Sequence, residues 1–288
     1  MRLILSRKGF DSSAGGCPSP VLPDGTLCVL PIPDEHSAIR YGDIWCGDRK
    51  LGKLVHDLSG GRVRAGHRAH LDPDIVAGAY PRSAGWRPVL GQAGSAQGHL
   101  RNQGVGAGDL FLFFGVFRQA ELVRRRWRFV PGSRPFHALW GWLHIGEVVP
   151  VDQQTASRLP WAGYHPHLQG RTDGTDALYL ASDSFQLPER SGVIPGSGAF
   201  PVLDESLVLT DPEGRLPTQW RLPAGFFPGN GRPPLSYHSK PGRWQLAPPW
   251  CYLSCAARGQ EFVLDLAHYP ELSPWLGGLL GGMSPPQP

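Results

Sequence analysis

Asp109-Leu110-Phe111-Leu112-Phe113-Phe114-Gly115-Val116-Phe117 is the stretch on which the fold turns. Aromatic and aliphatic side chains follow one another without polar alternation, between glycine-rich flanks, and such a run fits a strand buried on both faces. Past a basic cluster (Arg124, Arg125, Arg126 and Arg128 around Trp127) lies a second strong strand within Phe136 to Val149. Its centre is Trp140-Gly141-Trp142-Leu143-His144-Ile145-Gly146-Glu147-Val148-Val149. Two long strands joined by so short a connection predict antiparallel pairing.

Working outward, Leu3-Ile4-Leu5 reads as a short buried strand, and Val21-Leu22 with Leu27-Cys28-Val29-Leu30 as a hairpin about the turn Pro23-Asp24-Gly25-Thr26. Ala177 to Ala181 and Leu207 to Thr210 read as further short strands. Leu51 to Leu58 fits a helix or a strand, Leu222 to Pro249 reads as irregular, and Glu261 to Asp265 ends as a strand or opens a helix. The tail Ser284 to Pro288 reads as frayed. The expectation is an α+β, β-rich fold: one unit over residues 1–288 with a central, mostly antiparallel sheet and many loops. Residues 1–108 form a loop-rich site region, 109–210 the β scaffold, and 211–288 an irregular region packed on it.

Glycine (38) and proline (30) approach low-complexity levels in a chain of 288 residues, yet they are spread among ten tryptophans and many branched aliphatics, so a loop-rich folded protein is expected. The net charge of +4 permits a polyanionic partner without requiring one. No apolar run approaches the roughly 18 residues of a membrane span. Met1-Arg2-Leu3-Ile4-Leu5 runs straight into Ser6-Arg7-Lys8, too short for the apolar stretch of a secretion leader. Cys17, Cys28, Cys46, Cys251 and Cys255 are odd in number and form no CxxC, so free thiols in a cytoplasmic protein are expected. The chain contains no P-loop, dinucleotide fingerprint, GxSxG elbow or HExxH helix, which argues against those enzyme classes.

Three polar clusters stand out. Ser6-Arg7-Lys8-Gly9-Phe10-Asp11 follows a strand directly, where backbone N–H groups and a cation can approach a phosphate. A solvated turn with a Lys8–Asp11 ion pair is the plainer alternative. His70-Leu71-Asp72-Pro73-Asp74 places an imidazole and two carboxylates on a loop, equipment for a divalent metal or for a base with its orienting partner. Asp72 or Asp74 capping a helix through Ile75 is about as good a reading. Gly91 to Gly104 reads as an amide-rich loop in which Gln92, Gln97, His99, Asn102 and Gln103 could read a base edge or a ribose. Tyr164-His165-Pro166-His167 offers two imidazoles, but positions i and i+2 of an extended segment face opposite ways, so a structural role is expected there. Tyr237-His238 reads as structural too.

The strings Leu5 to Ser13, Gly16-Cys17-Pro18-Ser19-Pro20, Leu30-Pro31-Ile32-Pro33, His70 to Asp74, Gln97 to Gly106 and Gly108 to Gly115 together resemble the third family of nucleotide modification associated domains. The resemblance continues through Trp142 to Glu147, Tyr179 to Ser182 and Glu261-Phe262-Val263, nearly the whole chain. It implies a role near nucleotide or base chemistry in bacterial or phage DNA, without naming a reaction. A looser similarity links Gly108 to Phe113 and Leu139 to Val148 to PUA-like barrels, which implies a partly open barrel as the alternative architecture.

The leading functional expectation is an enzyme acting on a nucleotide or on a base in nucleic acid by group transfer, hydrolysis or metal-dependent oxidation. His70, Asp72, Asp74 and His99 are its candidate catalytic residues and candidate ligands of a divalent metal ion. Arg7, Lys8, Asp11, Gln92, Gln97, Asn102 and Gln103 are its candidate ligand-binding residues. The alternatives are a non-catalytic reader of a modified base or nucleotide, and an enzyme modifying a peptide or small metabolite.

Overall fold

The structure, a computed structural model, describes residues 1–169, 174–187, 192–257 and 261–281. The run that opens the sequence argument is a strand of 14 residues, Leu110–Val123, and its partner Phe136–Pro150 has 15. Leu110 through Gly115 are buried without alternation, because packed chain covers both faces of the sheet at this point.

Nine strands make up the main sheet. In chain order they are β1 (Arg2–Arg7), β2 (Ser19–Val21), β3 (Val89–Gln92), β4 (Leu110–Val123), β5 (Arg126–Phe129), β6 (Phe136–Pro150), β7 (Ala177–Ala181), β8 (Ser197–Ala199) and β9 (Glu261–Asp265). The spatial order is β9-β1-β4-β6-β7-β3, with β2 and β5 also on β4 and β8 also on β6. Pairing is antiparallel except for β1 and β2, which run parallel to β4. The sheet is therefore mostly antiparallel, as the sequence predicts, but among the described residues it stays open and does not close into a barrel.

Trp140 is an extra residue in β6: Phe113 lies opposite Gly141 while Phe114 lies opposite Leu139. This bulge puts the Trp140 indole against Phe113, ring centroids 5.4 Å apart. On the other face Phe114 meets the edge of Trp220 at 5.1 Å, and the Trp220 indole N–H donates to His137 Nδ1 at 2.9 Å. That bond satisfies a donor and an acceptor that burial would otherwise strand.

Several elements sharpen or correct the sequence expectations. Leu51–Leu58 is a helix (α1), and its buried Leu51, Leu54, Val55 and Leu58 carry the 3.6-residue period. Glu261–Asp265 is the strand β9. The Pro23-Asp24-Gly25-Thr26 turn forms, but its arms meet only in the bridge Val21–Leu27. Leu207 to Thr210 is not a strand: a 3-10 turn over Glu205–Leu207 leads into bridges at Val208 and Thr210. The segment from Leu222 to Pro249 is irregular only in its middle, because Gln219–Pro223 and Trp244–Ala247 both pair antiparallel with Trp250–Ser254. The Gly91-to-Gly104 segment is no loop. It completes β3 and then forms helix α2 (Gly94–Asn102), anchored by the fully buried Leu100. The tail Ser284 to Pro288 lies outside the described residues.

Candidate functional site

Two segments distant in sequence meet at the end of β3. One is His70-Leu71-Asp72, tied to the N-terminal loops where the His70 N–H donates to the Ile32 carbonyl at 2.8 Å. The other is the 3-10 turn Pro166–Leu168, whose first residue is the proline expected at such a start. His165 caps that turn, its Nδ1 accepting the His167 N–H at 3.4 Å.

Asp72 is the hub, its side chain 3% exposed. Its Oδ1 accepts the Gly91 N–H at 2.7 Å and lies 3.3 Å from His165 Nε2. The other oxygen, Oδ2, stands 3.8 Å from His70 Nε2 and 3.9 Å from His167 Nε2. Each of these two imidazoles is gripped from behind by a carboxylate: His70 Nδ1 by Asp34 Oδ2 at 2.8 Å, and His167 Nδ1 by Asp176 Oδ1 at 3.0 Å. A proton held on Nδ1 by a carboxylate leaves the Nε2 lone pair free and fixes the ring's direction, the arrangement found behind metal-bound histidines.

His70 Nε2, Asp72 Oδ2 and His167 Nε2 all lie within 4.8 Å of one another and could hold a metal ion. An ion centred among them would stand at most about 2.5 Å from each, so a few tenths of an ångström of inward movement reaches the usual 2.0–2.2 Å. Two imidazoles and a carboxylate suit zinc, iron(II) or manganese. His165, 0% exposed, faces Asp72 Oδ1 with Nε2, while its Nδ1 is taken by the His167 N–H.

The electrostatics agree. Burial works against ionising Asp72, yet the His165 and His167 imidazoles and the Lys8 ammonium pull its carboxyl well below the ordinary range. The bond from His70 holds the Asp34 carboxyl down at about 2. Both groups therefore meet a cation as carboxylates across the neutral pH range.

The remaining expected residues divide clearly. Lys8 does not pair with Asp11: its Nζ lies 3.3 Å from Glu261 Oε1, and Gln92 donates to that same oxygen. Gln92 follows Gly91 directly, so this buried trio adjoins the Asp72 hub. Gln97 Oε1 accepts the Tyr179 hydroxyl at 2.8 Å. His99 is not brought against Asp72. Its Nε2 lies 3.1 Å from Ser236 Oγ and its ring rests on Tyr237, while Glu261 links it electrostatically to the Lys8 end of the cluster. Arg7 donates to the Ala257 carbonyl at 3.0 Å and faces Asp11 at 3.7 Å, while Asp11 caps its own turn through Ser13 and Ala14. Asn102 and Gln103 are exposed at the end of α2.

Asp74 points away from the imidazoles and caps no helix. It accepts from Arg82, from Trp86 Nε1 at 3.1 Å and from Tyr164, a structural ion pair boxed by aromatic rings. The sequence reading missed Asp34 and Asp176, which sit in no motif, and gave no role to Glu261 although the family resemblance runs through Glu261-Phe262-Val263. It set His165 and His167 aside because it assumed an extended segment. Pro166 starts a helical turn instead, and both rings reach one carboxylate.

A family model described as nucleotide modification associated domain 3 matches residues 2–265, and the chain belongs to that family. No curated protein and no solved structure matches the chain.

Proposed function

We propose that this family member is a divalent-metal-dependent enzyme acting on a nucleotide or on a base in nucleic acid, with the ion held by His70 Nε2, Asp72 Oδ2 and His167 Nε2. The observation that carries this reading is the pair of imidazoles locked at Nδ1 by Asp34 and Asp176 and turned onto the same oxygen of a buried carboxylate. A reader module needs no such centre, since stacking and amide contacts suffice to recognise a base. Three protein ligands leave at least one coordination position for water or a substrate oxygen, which the ion would polarise or activate. Lys8 and Gln92 meet on Glu261 beside this centre, Gln92 following directly on the Gly91 that donates to Asp72, and this puts a cation next to it.

The test has two parts. Protein purified without chelator is assayed for metal content and titrated with zinc, iron(II) and manganese. The loaded protein is then incubated with nucleotides and DNA, and the products are followed by mass spectrometry. One ion per chain, lost in Asp72→Asn and His167→Ala, is expected together with a metal-dependent mass change. Failure of every ion to bind would overturn the metal centre. Tight metal binding with nucleotide affinity but no product would favour the reader instead.

A further inference from the structure

Asp72 sits on a loop with two neighbours. The segment Leu71 to Val76 that carries it also walls a cavity of about 410 Å³, within the size range of small-molecule sites. The opposite walls are Val29, Trp140 and Phe200, and the lip is Trp45, Val76 and Val202, each an exposed apolar side chain. Large exposed apolar groups gathered at one opening are unusual on a surface that faces only water. Lys50 Nζ lies 5.0 Å from the Trp45 ring centroid, so a cation stands at the same lip.

We infer that this cavity takes the nucleobase of the substrate, its ring against Trp140 and Phe200 and its reacting edge toward the Asp72 segment. The inference rests on the proposed metal centre and names where that centre's substrate lies. A base has two apolar faces and a polar rim, and the lining has the same division. Aromatic and aliphatic groups form most of the wall, and the carboxylate-bearing segment Asp72-Pro73-Asp74 forms one side. Asp74 is taken by Arg82, Trp86 and Tyr164, whereas Asp72, a residue of the cavity wall, is the one that carries the carboxylate of the metal centre. The ring stacks as bases do on aromatic platforms. Sugar and phosphate stay outside, where Lys50 stands. A base within a strand would have to leave its stack to enter, as in other enzymes that act on bases.

Two substitutions fill the site without touching the imidazoles. Ala199 lies in the wall, and Gly78 lies at the mouth, where an added Cβ meets nothing within 4 Å and the backbone is not left-handed. Zinc-loaded protein is titrated calorimetrically with the four deoxynucleoside monophosphates, with a single-stranded oligonucleotide, and with a medium-chain fatty acid. Saturable binding of at least one monophosphate or of the oligonucleotide is expected. Ala199→Leu and Gly78→Leu should each weaken it tenfold or more while zinc affinity stays within threefold of the parent. The two nucleotide probes separate a free nucleotide from a base in a strand as the source. Absent binding of both, binding undiminished in both variants, or preference for the fatty acid would overturn the inference. In each of those cases retained zinc binding would leave the metal centre standing.

Discussion

Gly91→Ala is the sharpest probe of the metal centre, because it adds one methyl group at a known distance from one ligand. A Cβ built on Gly91 falls 2.1 Å from His167 Cδ2, 2.5 Å from Cγ and 2.7 Å from Nε2. Ordinary contact begins near 3.4 Å, so the ring must retreat by about 1.3 Å, the difference between 3.4 and 2.1. The backbone has no objection to alanine, since Gly91 lies within strand β3. The Gly91 N–H can still reach Asp72, so the perturbation is confined to the imidazole. A metal–nitrogen bond of about 2.0–2.1 Å cannot absorb a displacement of that size. The same movement strains the 3.0 Å bond from His167 Nδ1 to Asp176 that aims the ring. Losing an aiming bond alone costs roughly 10–100-fold in metal affinity. Displacing the ligand should therefore cost at least about 100-fold, or about 2.8 kcal/mol at 1.4 kcal/mol per decade. Overpacking should also lower stability by about 1–3 kcal/mol. Zinc affinity measured by competition with a chromophoric chelator reads the first effect and urea unfolding of the metal-free protein the second. Gly78→Ala serves as control, because its methyl meets nothing within 4 Å. A folded Gly91→Ala protein that bound zinc within threefold of the parent would refute the assignment of His167 as a ligand.

The other expectations need less development. Asp34→Asn and Asp176→Asn should each weaken metal binding by roughly 10–100-fold, and unchanged affinities in both would show that the imidazoles are not aimed through Nδ1. Asp74→Ala should cost about 3–5 kcal/mol in urea unfolding, because it strands the buried Arg82 guanidinium; a near-neutral effect would argue that water already reaches Arg82. Acid should destabilise the chelated protein before its carboxylates titrate. Burial pushes His137 down to about 3 and His238 down to about 4, so both fold as neutral rings. Because the folded values are depressed, their full contribution is present above the ordinary value near 6.5 and is lost as pH falls below it. Each imidazole then costs about 1.4 kcal/mol per pH unit. Urea midpoints that stayed flat between pH 6.5 and 5 would contradict the burial of both rings.

How much of the fold a sequence reveals depends on whether burial or tertiary contact shapes each element. Leu110 to Gly115 was legible because both faces are covered, which removes every reason for polar residues to alternate. Helix α2 was not legible, since Gly98 weakens it by about 1 kcal/mol relative to alanine and Gly94 starts it from left-handed backbone at φ 57°. Its order comes from outside: Leu100 is buried in the core, Gln97 accepts the Tyr179 hydroxyl, and the Gly94 N–H donates to Thr175 Oγ1 at 2.8 Å. Amides that read as a ligand-seeking loop are partly spent on holding that helix in place.

The candidate site divides along the same line. His70 and Asp72 could be found because two residues of separation on one loop make a constellation visible in a short window. The partner that completes them lies more than ninety residues later, and the two-residue period of an extended chain sent it to the wrong face. A 3-10 turn advances about 120° per residue, and Pro166 is the local signal that such a turn begins there. The carboxylates behind the rings carry no sequence signature at all, because their role is defined by which imidazole nitrogen they occupy. Asp34 follows a proline, and Asp176 lies just before β7. Neither position differs from an ordinary surface turn until the folded chain brings His70 and His167 against it. For this centre, the strongest support for metal binding therefore comes from the two aspartates that would never touch the ion, since they engage both Nδ1 atoms and leave both Nε2 atoms facing a single oxygen of Asp72.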